Sequence, residues 1–210
     1  MLSRYHGKRV ILIVVDGMGW YTLENGLRVK ELPTFRYLIK NGIYVKARSV
    51  YPSDTKHGHR AIFYGKSEKT IFQILKEKGL KSASISNEKL YEKAFPYGAE
   101  IIEVKDLDMD GFVGDDDDIV LTVKKLKDGY SLMFIHLSVD YTSHKYGPYS
   151  YQAINDLEDA DSQIKEIVRK YPGSILIITA DHGMHETLSG GEHGSMHEKD
   201  ISVPIIIGRV

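Results

Sequence analysis

Six short runs of apolar residues, set apart by longer polar stretches of helical period, organise the chain. Val10-Ile11-Leu12-Ile13-Val14-Val15 is apolar without a break, the pattern of a strand buried on both faces. Residues 82–86, 100–104, 132–137, 174–180 and 203–207 read as five further strands. Between them Ile71, Ile74 and Leu75 fall at helical spacing, with Ser67 as the N-cap and Gly79 as the stop. Residues 117–127 predict a helix with acids at its start and lysines at its end, the order that the helix dipole favours. Ile154, Leu157, Ile164, Ile167 and Val168 form one face of a long helix that stops at Tyr171-Pro172-Gly173. Strands alternating with helices predict an α/β fold with a mainly parallel sheet. There is no internal repeat and no linker, and the only biased tract is the acidic run Asp115–Asp118, so one domain over residues 1–210 is expected.

Composition narrows the chemistry. The 210 residues carry a formal net charge of -1, so the chain lacks the basic field that binding to a nucleic-acid polymer needs. Hydrophobic residues make up 42%, enough for a core. The apolar runs fall well short of the ~20 residues of a membrane helix, so no membrane partner is expected. The N-terminal residues show no small-residue cleavage site, and a cytoplasmic protein is expected. There is no cysteine, which removes disulfides and thiolate metal sites together. Any metal must therefore bind through Asp, Glu, His or other oxygen ligands.

Four stretches put such residues at the carboxyl ends of strands, where ligands bind in open α/β sheets. Asp16 follows the first strand directly and is succeeded by Gly17 and Gly19. Asp140 and His144, four apart, follow the strand at 132–137. Asp181 and His182 follow the strand at 174–180, where Gly183 permits the break that two adjacent ligands require. The loop Gly190-Gly191-Glu192-His193-Gly194-Ser195-Met196-His197 carries two more histidines. Singly, each has a plain reading: an N-cap aspartate, or a solvated loop histidine. Together they make an oxygen and nitrogen ligand set for two divalent metals. Pro52 and the polar residues after it read as a helix entry, which places the Thr55 hydroxyl at a helix N-terminus, a favourable seat for phosphate.

The order Asp16, Thr55, Asp140/His144, Asp181/His182, His193 resembles the alkaline phosphatase superfamily of two-metal phosphoryl-transfer enzymes, above all its nucleotide pyrophosphatase/phosphodiesterase branch. Asp140-Tyr-Thr-Ser-His144-Lys-Tyr-Gly147-Pro148 is similar to the branch's Asp-x-x-Gly-His-x-x-Gly-Pro, with Ser143 replacing a glycine, and Thr179-Ala-Asp181-His182-Gly183-Met184 matches its metal motif unchanged. The resemblance implies a three-layer αβα sandwich without a large cap domain. It implies one metal held by Asp16, Thr55, Asp181 and His182 and a second held by Asp140, His144 and His193. Zinc is expected, with manganese as the alternative. Both Ser53 and Thr55 are candidate nucleophiles; superfamily members commonly carry a histidine four residues after the nucleophile, so His59 selects Thr55. His193 is preferred to His197 and His185 because His193-Gly194-Ser195 followed by Val203-Pro204 resembles a pattern of related phosphatases.

The implied activity is hydrolysis of phosphodiester or pyrophosphate bonds in a small phosphate ester or nucleotide, through a phosphothreonine intermediate. The branch's phosphate-binding loop asparagine has no counterpart here. Lys56, His57, His59 and Arg60 are the substitutes at hand, and their positive charge would also favour a monoester. A phosphomonoesterase is thus one alternative. A phosphomutase is disfavoured because residues 55–140 leave no room for an inserted cap, and a metal-binding module without turnover because Thr55 is present. A sulfatase is disfavoured because there is no cysteine. The open site is one that a second subunit could complete. Asp106, Asp108 and Asp110, with Asp117 at the twelfth position, resemble a calcium loop, although an acidic loop capping the next helix is the preferred reading.

Overall fold

The computed structural model describes residues 8–210; residues 1–7, part of the stretch inspected for a leader, lie outside the described residues. The chain runs β1 (Val10–Asp16), α1 (Trp20–Val29), α2 (Pro33–Asn41), β2 (Ile43–Arg48), α3 (Thr55–Tyr64), α4 (Ile71–Glu77), β3 (Ser82–Ile85), α5 (Glu88–Lys93) and β4 (Glu100–Ile102). It continues as α6 (Asp116–Lys125), β5 (Leu132–Ser138), α7 (Asp140–Tyr146), α8 (Tyr151–Lys170), β6 (Ile175–Thr179), a hairpin of β7 (His185–Thr187) and β8 (Gly190–Glu192), α9 (Glu198–Ile201) and β9 (Ser202–Arg209).

Seven strands form one sheet in the order β2-β9-β6-β1-β5-β3-β4, in which β9 runs antiparallel to both its neighbours and the other pairings are parallel. Alternation along β1 divides the core. Ile11, Ile13 and Val15 face a large cluster built with Leu23 of α1, Phe35 and Leu38 of α2, Ile119 and Val123 of α6, and Leu157, Ile164 and Ile167 of α8. Val14 faces the other way, into a smaller cluster with Phe134, Phe63 of α3, Phe72 of α4 and Leu90 of α5. The result is the expected three-layer sandwich. Between Thr55 and Asp140 the chain builds only elements of this core.

Sheet register sets up the site. Asp16 pairs with Ser138, two residues before Asp140, and Val14 pairs with Thr179, two residues before Asp181. Three aspartates on three adjacent strands thus arrive at one carboxyl edge. The chain leaves β1 towards the β2 edge, whereas β5 and β6 flank β1 and are joined across it through α8, which opens a crevice at that edge.

Local chemistry adjusts two expected boundaries. The helix at 71–77 is capped by Thr70 and not by Ser67: Thr70 accepts the Gln73 N–H, and the Gln73 side chain returns the bond in a full capping box. In α6 the N-cap is Asp115, so the helix begins at Asp116. The loop before it is closed by Asp118, which is buried and accepts the N–H groups of Leu107 (2.5 Å) and Gly114 (3.0 Å), whereas Asp117 takes the Gln163 amide. The element directly before this loop is the strand β4 and not a helix, and Asp118 ties the loop to the start of α6.

Two measurements follow from this packing. Asp116 accepts the Ser138 N–H at 2.9 Å and joins α6 to the end of β5. Burial, with Asp115 and Asp117 nearby, pushes its carboxyl up from 3.8 to about 7. A raised carboxyl binds protons more tightly in the folded chain than in the unfolded one, so stability is lost as pH rises from about 4 to 7. Asp116→Asn keeps the acceptor without the charge. It should raise the midpoint of thermal unfolding by a few degrees at pH 8 and leave it nearly unchanged near pH 4. Gly58, inside α3, packs so closely that an added Cβ would sit 2.4 Å from the Asp181 carbonyl oxygen. Alanine normally favours a helix by about 1 kcal/mol over glycine. Here Gly58→Ala should instead destabilise by about 1–3 kcal/mol, read by denaturant unfolding.

Candidate active site

Asp16 ends β1, and Gly17, at φ 74°, turns the chain away from the sheet with its Cα against the Asp140 backbone. Thr55 opens α3 behind the cap Asp54, which accepts the His57 N–H. Its hydroxyl lies 3.5 Å from Asp16 Oδ2 and 3.4 Å from His182 Nε2. Asp181 accepts the His182 N–H at 3.0 Å through Oδ1 and points Oδ2 to within 3.5 Å of His182 Nε2. His182 donates its Nδ1–H to the Gly183 carbonyl (3.0 Å), which turns Nε2 to within 3.2 Å of Asp16 Oδ1. His182 Nε2 thus lies within 3.5 Å of Asp16, Asp181 and the Thr55 hydroxyl.

A second group adjoins it. Asp140 and His144 lie one turn apart on α7, with Asp140 Oδ2 at 3.6 Å from His144 Nε2. The other Asp140 oxygen is 3.8 Å from His193 Nε2. His144 donates Nδ1–H to Gly191 O (2.8 Å) and His193 donates to Ser53 O (3.0 Å), so both rings turn Nε2 towards Asp140. The His182 and His193 rings stack at 3.8 Å between centroids, which brings the two groups together. The three donor atoms of Asp140, His144 and His193 lie within 4.8 Å of one another, as do those of Asp16, Asp140 and His182. Ser143, where the resemblance expects glycine, is buried with its carbonyl against Gly191, so a side chain on the α7 partner and not on α7 is what the packing forbids.

The charge balance of this crevice is uneven. Asp16 Oδ1, Asp140 Oδ1 and Asp181 Oδ2 are buried and receive no hydrogen bond. Burial would raise the Asp16 carboxyl, but His136 and His182 beside it hold it well below the usual carboxylate range. Burial and the Asp16 charge push Asp140 up to about 6. Burial works against a charge on His182, yet Asp181 and Asp16 raise it to about 10. His193 drops to about 4 through burial and the charge on His182. Two buried carboxylates and a partly buried third beside a buried imidazole make a site that favours cations, and its oxygen and nitrogen donors fit divalent metals.

The structure separates the two candidate nucleophiles. The Ser53 hydroxyl is spent on the Ser195 carbonyl (2.7 Å), whereas the Thr55 hydroxyl sits in the carboxylate and imidazole cluster. His197 stands apart from this cluster, stacked on His185 at 4.9 Å. His59 cannot contact a substrate, contrary to expectation: it is 0% exposed, bonded through Nδ1 to Thr55 O (2.9 Å) and 3.3 Å from Asp181 Oδ2, and so supports the site from behind. Lys56 is exposed beside Thr55, His57 pairs with Asp54 at 2.8 Å, and the Arg60 guanidinium lies over the Tyr64 ring. His136 escapes sequence reasoning. It is buried on β5, with Nε2 at 3.4 Å from Asp16 Oδ2 and its ring 5.0 Å from His59. Its signal is a lone imidazole in an otherwise apolar buried strand.

Known proteins share part of this sequence and its fold. Over 90 residues, 40% of this chain, the sequence is 33% identical to GPI ethanolamine phosphate transferase 1 of Emericella nidulans. The chain spans about a tenth of the length of the curated relatives it matches. Human ectonucleotide pyrophosphatase/phosphodiesterase 5 superposes with a TM-score of 0.67 at 17% identity, over 85% of this chain and 58% of that one. The C-terminal periplasmic domain of EcEptC from Escherichia coli, in a complex with zinc, superposes with a TM-score of 0.68 at 13% identity, over 96% of this chain and 72% of that one. These matches overturn the expectation of a cytoplasmic protein, since they include a periplasmic domain and a GPI ethanolamine phosphate transferase. A chain without cysteine has no thiols to oxidise, so its composition suits an oxidising compartment equally well. Among the described residues no helix is long and apolar enough to cross a membrane. A family model described as the Metalloenzyme superfamily matches residues 8–209, and the chain belongs to that superfamily of alkaline-phosphatase-like, metal-dependent phosphoesterases.

Proposed function

We propose that residues 8–210 form one catalytic domain that cleaves phosphodiesters through a covalent intermediate on Thr55. The observation that carries this reading is the Thr55 hydroxyl at the start of α3, 3.5 Å from Asp16 and 3.4 Å from His182, inside a carboxylate cluster in need of cations. Asp16, Thr55, Asp181 and His182 would hold one divalent metal, and Asp140, His144 and His193 a second; zinc fits these donors, with manganese as the alternative. Bound there, the metals supply Lewis acidity, which favours the ionised Thr55 hydroxyl and offsets the charge of the phosphoryl oxygens.

Thr55 Oγ attacks phosphorus in line and its proton passes to solvent. The bond to the leaving oxygen breaks as the bond to Oγ forms, and the departing alkoxide takes a proton from water. His59 holds the Thr55 carbonyl and faces Asp181, so the first turn of α3 and the strand-end aspartate move as one piece. Lys56, exposed next to the nucleophile, is placed to meet substrate charge from the solvent side. Water then attacks the Thr55 adduct, the Oγ–P bond breaks, and Oγ recovers a proton.

The match to an ethanolamine phosphate transferase favours a second reading of the last step alone. A phosphodiester intermediate on Thr55 can be released to an alcohol as well as to water, so hydrolysis and transfer share the first half-reaction.

Turnover of bis-p-nitrophenyl phosphate and p-nitrophenyl phosphate, with zinc or manganese, tests both readings. Diester cleavage should exceed monoester cleavage, and Thr55→Ala should lower it by at least about 1,000-fold. Added ethanolamine or glycerol that diverts product into a mixed diester supports transfer; product unchanged by the alcohol supports hydrolysis. A preference for the monoester contradicts the diester assignment, and activity retained in Thr55→Ala contradicts the nucleophile.

A further inference from the structure

Asp200 is the buried charge that the cleavage scheme leaves unused. It is 0% exposed, lies on the short helix α9, and both of its oxygens are occupied. Oδ2 accepts the Ser195 N–H (3.2 Å) and the Ser195 Oγ–H (2.6 Å), and Oδ1 accepts His185 Nδ1–H (2.7 Å). The Asp200 carbonyl accepts the N–H of Gly183, the residue after His182, at 2.7 Å.

The bonds continue from Ser195 to the site. Ser195 O accepts the Ser53 hydroxyl at 2.7 Å, and Ser53 O accepts His193 Nδ1–H at 3.0 Å. A path of hydrogen bonds, linked through the covalent frames of Ser195 and Ser53, therefore runs from a buried carboxylate to the ring of His193. With Nδ1 fixed as the donor, the lone pair of His193 is on Nε2, the atom that faces Asp140. Ser53 sits two residues before Thr55, so the same path ties the histidine loop to the nucleophile loop.

His185, His197 and Asp200 also bring donor atoms within 4.8 Å of one another, the spacing of a cation seat. Their hydrogen bonds argue for a frame instead. Both Asp200 oxygens already accept donors, His185 Nδ1 carries the proton it gives to Asp200, and His197 Nδ1 accepts the Lys199 N–H at 3.2 Å. A neutral His197 so bonded carries its proton on Nε2 and has no free lone pair to offer.

We infer that Asp200 is a positioning residue: through Ser195 and Ser53 it holds His193 with Nε2 turned to the second metal position, and so sets the affinity of that position alone. This rests on the reading of His193 as a ligand of the second metal. The imidazole would otherwise turn about its side-chain bonds, and ligands fixed by such outer partners lose about 10–100-fold in metal affinity when those partners are removed.

The test is a zinc titration of chelator-stripped protein against a competing chromophoric chelator, with thermal unfolding of each metal-free variant alongside. Wild type should take up two equivalents, and His193→Ala should lose one, which is the second equivalent. Asp200→Ala, which removes the acceptor of both Ser195 donors and keeps the Asp200 carbonyl, should weaken the second equivalent by about 10–100-fold and leave the first within about two-fold. Ser53→Ala removes only the outer link and should weaken the second equivalent less, which keeps the test usable if Asp200→Ala does not fold. One equivalent in wild type, or two in His193→Ala, means that the ligand reading fails and the inference with it. Two in wild type and one in His193→Ala, with Asp200→Ala and Ser53→Ala binding as wild type, overturns the inference alone. Equal weakening of both equivalents, or a third equivalent lost in His197→Ala, overturns it too.

Discussion

Asp16 and Asp181, buried at one sheet edge, and Asp140, partly buried beside them, have no lysine or arginine paired to any of them among the described residues, and this is the constraint from which the rest of the site follows. Charges of like sign a few ångströms apart in a poorly solvated crevice repel strongly. The fold nevertheless forces them together, because the register of β1 with β5 and β6 delivers Asp16, Asp140 and Asp181 to the same level. Imidazoles from β5, β6 and the glycine loop surround them. Asp181 and Asp16 raise His182 to about 10 against its burial, so a positive charge on that imidazole offsets part of theirs.

The histidines are organised by one device used three times. His144, His182 and His193 each give Nδ1–H to a backbone carbonyl, of Gly191, Gly183 and Ser53 respectively, and each turns Nε2 inward. Carbonyls of loops are poor anchors unless the loops themselves are held. Glycines allow that by close approach: Gly19 and Gly183 stack backbone on backbone, and Gly191 lies under Met184 and the end of α7. Buried Asp200 does the same for the loop that carries His193. The loops that carry these histidines are thereby tied to one another and to the helices beside them.

Much of this was legible in the sequence because it is local. Asp16, Asp140 and Asp181-His182 each follow or end a run that alternation or continuous apolarity marks as a strand, and the mainly parallel sheet follows from the alternation of strands and helices. The helices α1 and α2 and the edge strand β2 were not read, since their apolar residues are few and spaced among charges, as in Ile43-Tyr-Val-Lys-Ala-Arg48. Ser67 was favoured as a cap where Thr70 serves, because a capping box depends on Gln73 folding back. His59 and His136 lie far apart in sequence and meet only when α3 packs on β5, so neither could be assigned a place behind Asp16 and Asp181. Nothing in the stretch Glu198-Lys-Asp-Ile201 sets Asp200 apart in the sequence, and only the path through Ser195 and Ser53 gives it a role.

The central claim is that Thr55 carries the phosphoryl group between leaving group and acceptor. A metal-loaded sample turning over bis-p-nitrophenyl phosphate, quenched in acid and digested, answers it by mass spectrometry of the peptide that spans Ser53 and Thr55. The account predicts a p-nitrophenyl phosphate adduct on Thr55 that appears only with metal and substrate and is lost in Thr55→Ala. An adduct on Ser53, or turnover at full rate with neither residue modified, would contradict it.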